Sequence, residues 1–256
     1  MSYSDFWKAN FQRVKKTEKT FPKLTQLCTR VLESMEYVRK KWELLARARG
    51  KELPPYQQFV SIYFQRNITF LRGAYLLACR SLCEPSRDLQ RTTFETILRG
   101  YLFTVKRKEA NLMYSLIEGT IKPEEKDALR KKKYWPFRSL VGELYTKETR
   151  KSCENFYNRL SRSSHPSIMG TFADLRYSSE MVEDCLNTIL ALSYNNIQMM
   201  AEGFFDFLDN EFKEVIRATL KDIADAQEVI VIFEPDKEIH SSKIKLKKGN
   251  FMKVLR

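Results

Sequence analysis

The sequence predicts an all-α protein, a bundle of long antiparallel helices with a small β element at its C-terminal end. Apolar residues recur every three to four positions through most of residues 1–226, which is the period of a helix with one buried face. Glycine and proline number only 8 each in 256 residues, too few for the many turns of an all-β fold. A hydrophobic content of 43% suffices for a substantial core. We therefore expect a helical domain over residues 1–226 and a β appendage over residues 227–256.

The periodicity places the helices in chain order. Pro85 is expected to end the third helix, and Ser86 to serve as the N-cap of the fourth. The fourth helix either ends near Lys108 or continues to Gly119, and a polar segment follows it. The expected helices cover residues 3–18, 22–48, 56–82, 87–108, 136–145, 147–164, 181–208 and 211–226.

The character of the chain changes after residue 226. Residues 227–233 are rich in β-branched side chains, residues 243–247 alternate lysine with apolar residues, and residues 251–255 form a third short apolar run. These segments predict two or three strands. An isolated small sheet is only marginally stable, so the strands should pack on the helices or pair with another chain.

The charge balance indicates the kind of partner. Lysine and arginine total 45 against 32 aspartates and glutamates, a net charge of +13, which favours a polyanion such as RNA, DNA or an anionic membrane surface. The longest apolar runs, residues 75–79 and 229–233, are too short to cross a bilayer. The N-terminus lacks the apolar stretch of a secretory signal. We expect a cytoplasmic protein with a nucleic-acid partner and no membrane association.

The five cysteines predict reduced, buried thiols, because their number is odd and their neighbours are mostly apolar. Cys79 and Cys83 are expected to share a helix face, yet no second cysteine or histidine pair completes a zinc site. No Walker loop, GxGxxG, GxSxG or HExxH motif is present. The sequence therefore predicts neither a metal site nor a cofactor.

The segment that contains His165 is the strongest candidate for chemistry. Pro166 disfavours helical backbone before it, so the helix should end near His165, with Arg159 and Arg162 one to two turns upstream. An imidazole that titrates near neutrality beside arginines is suited to proton transfer on phosphate esters. In the alternative interpretation, Arg162 and His165 only cap the last carbonyls of the helix.

These residues resemble the signature of the HEPN superfamily, an arginine and a histidine separated by four to six residues. Five residues lie between Arg159 and His165. Residues 160–167 are also similar to an LSxxxHPS-type turn in an uncharacterised prokaryotic branch, in which an earlier helix carries an arginine and glutamate pattern like that of residues 86–95. The resemblance covers residues 56–208 and implies a HEPN-like core of four to five helices.

The resemblance implies a metal-independent endoribonuclease of a toxin or defence type, with an antitoxin or other protein as a further partner. His165 would move protons and Arg159 would stabilise charge on the phosphate, with Ser161 and Ser164 as supporting residues. Nuclease members usually have a polar residue after the arginine, where this chain has Leu160. The alternative function is a non-catalytic helical module that binds nucleic acid or a protein through its basic surface.

Two further basic groups are candidate phosphate contacts. Arg87, Arg91 and Glu95 recur every four residues, so they share one helix face. If that helix packs beside the 147–164 helix, the two arginines could clamp a phosphate with Glu95 in support; alternatively, the three form a solvated ladder of ion pairs. The second group precedes two aromatic residues, an arrangement suited to single-stranded nucleic acid, or forms a solvated loop. It consists of Arg130, Lys131, Lys132 and Lys133.

The 147–164 helix also predicts how two copies of the chain assemble. A two-fold axis through it would bring two copies of Arg159 and His165 into one groove. Such an interface also needs apolar area, because the paired positive charges repel. We expect that area to come from Phe156, Tyr157, Leu160 and Ile168, and we expect a homodimer whose cleft binds phosphate.

Overall fold

The computed structural model describes residues 3–48, 53–131, 136–161, 178–204 and 208–226, and all its regular elements in these ranges are α-helices. The all-α prediction is confirmed, whereas the predicted strands lie outside the described residues. The helices are α1 (Tyr3–Thr20), α2 (Pro22–Ala48), α3 (Pro55–Cys79), α4 (Cys83–Val105), α5 (Arg107–Ile117), α6 (Pro123–Lys131), α7 (Phe137–Leu144), α8 (Lys147–Ser161), α9 (Ser179–Phe204) and α10 (Asn210–Ala226).

Four long helices, α2, α3, α4 and α9, form the centre of the bundle. Helix α3 runs antiparallel to α4, since Ala74 accepts from Ser86 near one end of the pair and Asn67 contacts Thr96 further along. Helices α4 and α9 run parallel: Cys83 of α4 contacts Cys185 of α9, and Tyr101 contacts Asn195. The prediction of antiparallel packing is therefore wrong for α4 and α9, because the chain between them returns through α5 to α8.

Helix α9 is buried on nearly all sides from Thr188 onward, whereas its first turns expose Glu183 and Asn187. It lies against α2, α3 and α4, and its last turn brings Phe204 to Trp42 with 3.8 Å between ring centroids. Two outer layers cover this centre: α10 packs on α2 and α9, whereas α7 and α8 pack on α4. Phe94 of α4 contacts both outer helices on its side, through Phe137 and Phe156.

A polar layer crosses the middle of the core. Asn67 donates to the amide oxygen of Asn196 over 2.8 Å and accepts from the hydroxyl of Thr96, and all three side chains are buried. Buried polar groups are tolerable only when they are hydrogen-bonded. This layer therefore fixes the register of α3 against α4 and α9.

The turn between α3 and α4 differs from the sequence prediction. Helix α3 ends at Cys79, and Ser81 adopts φ +60° while the amides of Leu82 and Ser81 donate to the carbonyls of Leu77 and Ala78. This is the Schellman arrangement, which usually places glycine at the left-handed position. Serine carries no such signal in the sequence.

Three smaller predictions fail as a result of this early turn. Pro85 lies in the first turn of α4, where a missing amide proton costs nothing. Ser86 is therefore inside α4 rather than its N-cap, and its buried hydroxyl donates to Ala74. Cys79 and Cys83 belong to different helices and share no helix face. The burial predicted for the five cysteines is confirmed.

Beyond α4 the chain breaks at Lys106, so α5 is a separate helix rather than a continuation of α4. Gly119, with φ +71°, follows the end of α5. The polar segment beyond it includes helix α6, which packs on α5 through Leu129 in a small second core. In the parts of the chain that the structure describes, no helix is long and apolar enough to span a membrane.

Candidate functional site

The last turn of α8 presents Arg159 to α9. Of the residues predicted for chemistry, Arg159 and Ser161 are described, whereas Arg162, Ser164 and His165 lie outside the described residues. Helix α8 packs along α4, as the prediction for the 147–164 helix required, and is described to Ser161. The described part of the site is therefore the junction of α4, α8 and α9.

Two arginines from different helices meet one carboxylate at this junction. Arg87 of α4 donates from Nη2 to Oδ2 of Asp184 over 3.0 Å. Arg159 of α8 donates from Nη1 to the other oxygen, Oδ1, over 3.1 Å. We name Arg87, Arg159 and Asp184 the arginine junction. It brings Arg87, which was predicted to contact phosphate, and Arg159, which was predicted to be catalytic, to opposite oxygens of one carboxylate.

Further contacts orient Arg159. Its Nη2 lies 3.5 Å from the hydroxyl of Thr188, one turn along α9 from Asp184. Its guanidinium carbon lies 5.1 Å from the ring centroid of Phe156, within range of a cation–π interaction. Phe156 is itself buried against Phe94, so it gives the arginine a rigid surface. Arg159 is thus held by three side chains while part of it remains exposed.

The neighbouring face of α4 carries the other predicted residues, Arg91 and Glu95. Glu95 forms an ion pair at 3.2 Å with Arg99, one turn further along α4, and both are partly buried. Burial, followed by the nearby Glu95 carboxylate, raises the pKa of Tyr157 on α8, while Arg91 opposes this shift. Arg87 pairs across to Asp184 of α9, whereas Glu95 and Arg99 pair along α4 itself.

A thiol lies directly behind the arginine junction. Cys185 follows Asp184, and its Sγ lies 3.8 Å from the carbonyl oxygen of Cys83. A hydrogen bond from Cys83 and the positive charge of Arg87 lower the pKa of Cys185 despite its burial. Gln90 donates to the Cys185 carbonyl over 3.2 Å and fixes this part of α9 against α4.

Two of the four apolar side chains predicted for a dimer interface face the interior instead. Phe156 and Leu160 are only 5% and 1% exposed, because α8 uses them to pack on the core of its own chain. Tyr157 stacks on Phe137 with 3.8 Å between ring centroids, and Ile168 lies outside the described residues. The prediction that Phe156 and Leu160 supply an interface is wrong, since they cannot serve two surfaces at once.

Only the first two residues of the predicted basic run lie in a described helix. Arg130 and Lys131 end α6, which contacts only α5 among the described helices, and Lys132 and Lys133 lie beyond the described residues. Within the described ranges, no three histidine, cysteine, aspartate or glutamate side chains are grouped to hold a metal ion.

Sequence reasoning missed Asp184 and Thr188. Asp184 lies in the first two turns of a helix whose apolar periodicity was recognised, but nothing in its local sequence links it to residues 87 and 159. Comparisons of the chain with protein-family models, with curated proteins and with solved structures find no match. The HEPN resemblance therefore remains a hypothesis, and the function is inferred from the site.

Proposed function

We propose that the protein binds RNA at the arginine junction and cleaves it with His165 as the proton-transferring group. The observation that carries the proposal is the convergence of Arg87 and Arg159, from two helices, on the two oxygens of one acidic group. Guanidinium groups suit this recognition because their planar donors match carboxylate and phosphate oxygens. The overall charge of +13 favours a polyanionic ligand.

The chemistry follows from the position of Arg159 in the chain. It lies six residues before His165 and is held at the junction by Asp184, Thr188 and Phe156. A phosphodiester bound there would have a guanidinium to stabilise charge that develops on its oxygens. In the proposed reaction His165 accepts the proton of the RNA 2′-hydroxyl, which attacks the phosphorus and expels the 5′-oxygen of the next nucleotide. The departing 5′-oxygen takes a proton from solvent, and the products are a 2′,3′-cyclic phosphate and a 5′-hydroxyl end.

A homodimer belongs to this proposal, because two protomers would supply a second arginine and histidine to one groove. Its apolar area must come from residues other than Phe156 and Leu160. Analytical ultracentrifugation at micromolar concentration tests the assembly. A monomer under those conditions would contradict the two-protomer site while leaving RNA binding to be measured separately.

The decisive experiment incubates end-labelled RNA with purified protein in EDTA and analyses the product ends. We expect cleavage to 2′,3′-cyclic phosphates by the wild-type chain and loss of at least 100-fold in rate in His165→Ala and Arg159→Ala. His240→Ala is the matched control for the histidine, and Lys151→Ala, an exposed cation on α8, is the control for the arginine. Both controls should retain activity.

The non-catalytic alternative makes a different prediction in the same assay. A binding module leaves the RNA intact in every variant, yet retains salt-sensitive binding that weakens in Arg159→Ala. Cleavage that persists in His165→Ala would contradict the assignment of His165. Absence of both binding and cleavage would contradict the proposed function as a whole.

A further inference from the structure

The position of Asp184 between two arginines leads to an inference about how the site accepts its ligand. We infer that Asp184 is an internal substitute for one phosphodiester: in the free protein it occupies the place that an RNA phosphate takes between Arg87 and Arg159. The inference rests on the proposed function, since it concerns the ligand of the same site. It makes Asp184 a specificity-determining residue rather than a catalytic one.

The chemistry of the two groups is closely matched. An ionised aspartate carries one negative charge on two terminal oxygens, and each oxygen here accepts from a different guanidinium. A phosphodiester also carries one negative charge on two terminal oxygens. A phosphomonoester differs, with about −1.5 to −2 charges and three terminal oxygens at neutral pH. The geometry around Asp184 therefore selects a diester within a nucleic-acid strand over a free phosphate or a terminal phosphate.

The exposure of the three side chains shows how an exchange can take place. Arg87 is only 16% exposed and is held against the core, whereas Arg159 and Asp184 are 38% and 33% exposed. The carboxylate can therefore turn toward solvent while Arg87 stays in position. Ion pairs with this much solvent access contribute little net stability, so little opposes the exchange.

The residues around the arginine junction favour an anion there, whether it is the Asp184 carboxylate or a bound oxyanion. Arg91 lies on the same face of α4 as Arg87, while Glu95 is already paired with Arg99. Without the Asp184 carboxylate, two guanidinium groups would share one partly buried place, and each would repel the other. An external oxyanion would then become the partner that relieves this repulsion.

The test compares Asp184→Asn with Glu183→Gln, which removes the same charge from an exposed neighbouring position on α9. Binding is measured by fluorescence anisotropy with a 2′-O-methyl oligouridylate, which lacks the nucleophile and stays intact. We expect Asp184→Asn to bind about three to five times more tightly than Glu183→Gln, the effect of removing one competing exposed ion pair. The gain should vanish when Arg159→Ala is added. Binding equal to or weaker than that of Glu183→Gln would overturn the inference.

A second measurement separates this inference from the proposed function. Sodium dimethyl phosphate, a diester with one negative charge on two terminal oxygens, should raise the melting temperature of Asp184→Asn more than that of Glu183→Gln, because it fills the place left between the arginines. If the melting temperatures differ in this way and no variant binds RNA, an external anion does replace the Asp184 carboxylate, but the proposed RNA function fails. If RNA binds, but Asp184→Asn and Glu183→Gln differ neither in RNA affinity nor in melting temperature, the inference fails and the proposed function stands. Asp184→Ser, which also removes the carboxylate, replaces the asparagine variant in both measurements should that variant not fold.

Discussion

Arg87 donates to Asp184 over 3.0 Å across the interface of α4 and α9, although 97 positions separate the two residues in the chain. The same carboxylate accepts from Arg159, which is more exposed than Arg87. Coulombic attraction is screened less where water has less access. The two ion pairs should therefore differ in strength even though their distances are nearly equal.

A double-mutant cycle measures this difference. We expect a coupling free energy of about 1 kcal/mol between Arg87→Ala and Asp184→Ala, and about 0.5 kcal/mol or less between Arg159→Ala and Asp184→Ala. The free energies of unfolding come from urea titrations of the single and double variants. Stronger coupling for the more exposed pair would show that burial does not control the strength of these interactions.

Ser81 offers a stabilising substitution. Its φ of +60° is unfavourable for a residue with a Cβ atom, and its buried hydroxyl makes no hydrogen bond within the described residues. Ser81→Gly removes both penalties and should raise the free energy of unfolding by about 1 kcal/mol. Ser81→Ala is the matched control, because it removes the hydroxyl but retains the Cβ atom. Thermal unfolding should rank the glycine variant above the alanine variant; the reverse order would contradict backbone strain at this turn.

The buried pair Asn67 and Asn196 should show the asymmetry of a hydrogen bond in a protein core. Asn67→Leu leaves the amide of Asn196 without its Asn67 partner, and we expect a loss of about 2 to 4 kcal/mol. Replacing both residues by leucine removes donor and acceptor together. The double variant should then be destabilised by less than the sum of the two single variants, as measured by chemical unfolding. Simple additivity would show that the two side chains act independently.

Alkaline pH should destabilise the fold through its buried thiols. Burial, with a smaller contribution from Cys79, raises the pKa of Cys28 far above its ordinary value of 9.0, and burial raises that of Cys79 to about 11. In the unfolded chain these thiols lose their protons from about pH 9, whereas the folded chain keeps them. The contributed stability is therefore present below about pH 9 and is lost as pH rises further.

The measurement is the free energy of unfolding between pH 8 and 10.5. Each thiol that stays protonated contributes a decrease of up to about 1.4 kcal/mol per pH unit above pH 9. In Cys28→Ala the free energy of unfolding should fall less steeply with pH above pH 9, because one buried thiol no longer contributes. This holds whatever the effect of the substitution on stability at pH 8. An unchanged slope would exclude Cys28 as a source of the alkaline sensitivity.

The sequence by itself determined the helices. Each helix must bury one apolar face, and apolar residues that recur with a 3.6-residue period identify that face in the sequence. Helix α2 begins and ends where its pattern of apolar residues predicts, and α9 and α10 agree to within a few residues. The turn at Ser81 escaped prediction because its hydrogen bonds, rather than a glycine, end α3. Proline at position 85 was misleading, since the same residue that ends one helix is tolerated in the first turn of the next.

Only the tertiary structure decided which polar residues meet. The sequence singled out Arg87 and Arg159 as basic residues on helix faces, but it contains no signal that both would contact Asp184. The inward packing of Phe156 and Leu160 was equally hidden, because an apolar face has the same period whether it covers its own core or a partner. Periodicity specifies the direction of burial within one helix. The partner across the interface depends on how distant helices cross, and that is set by the packing of the whole core.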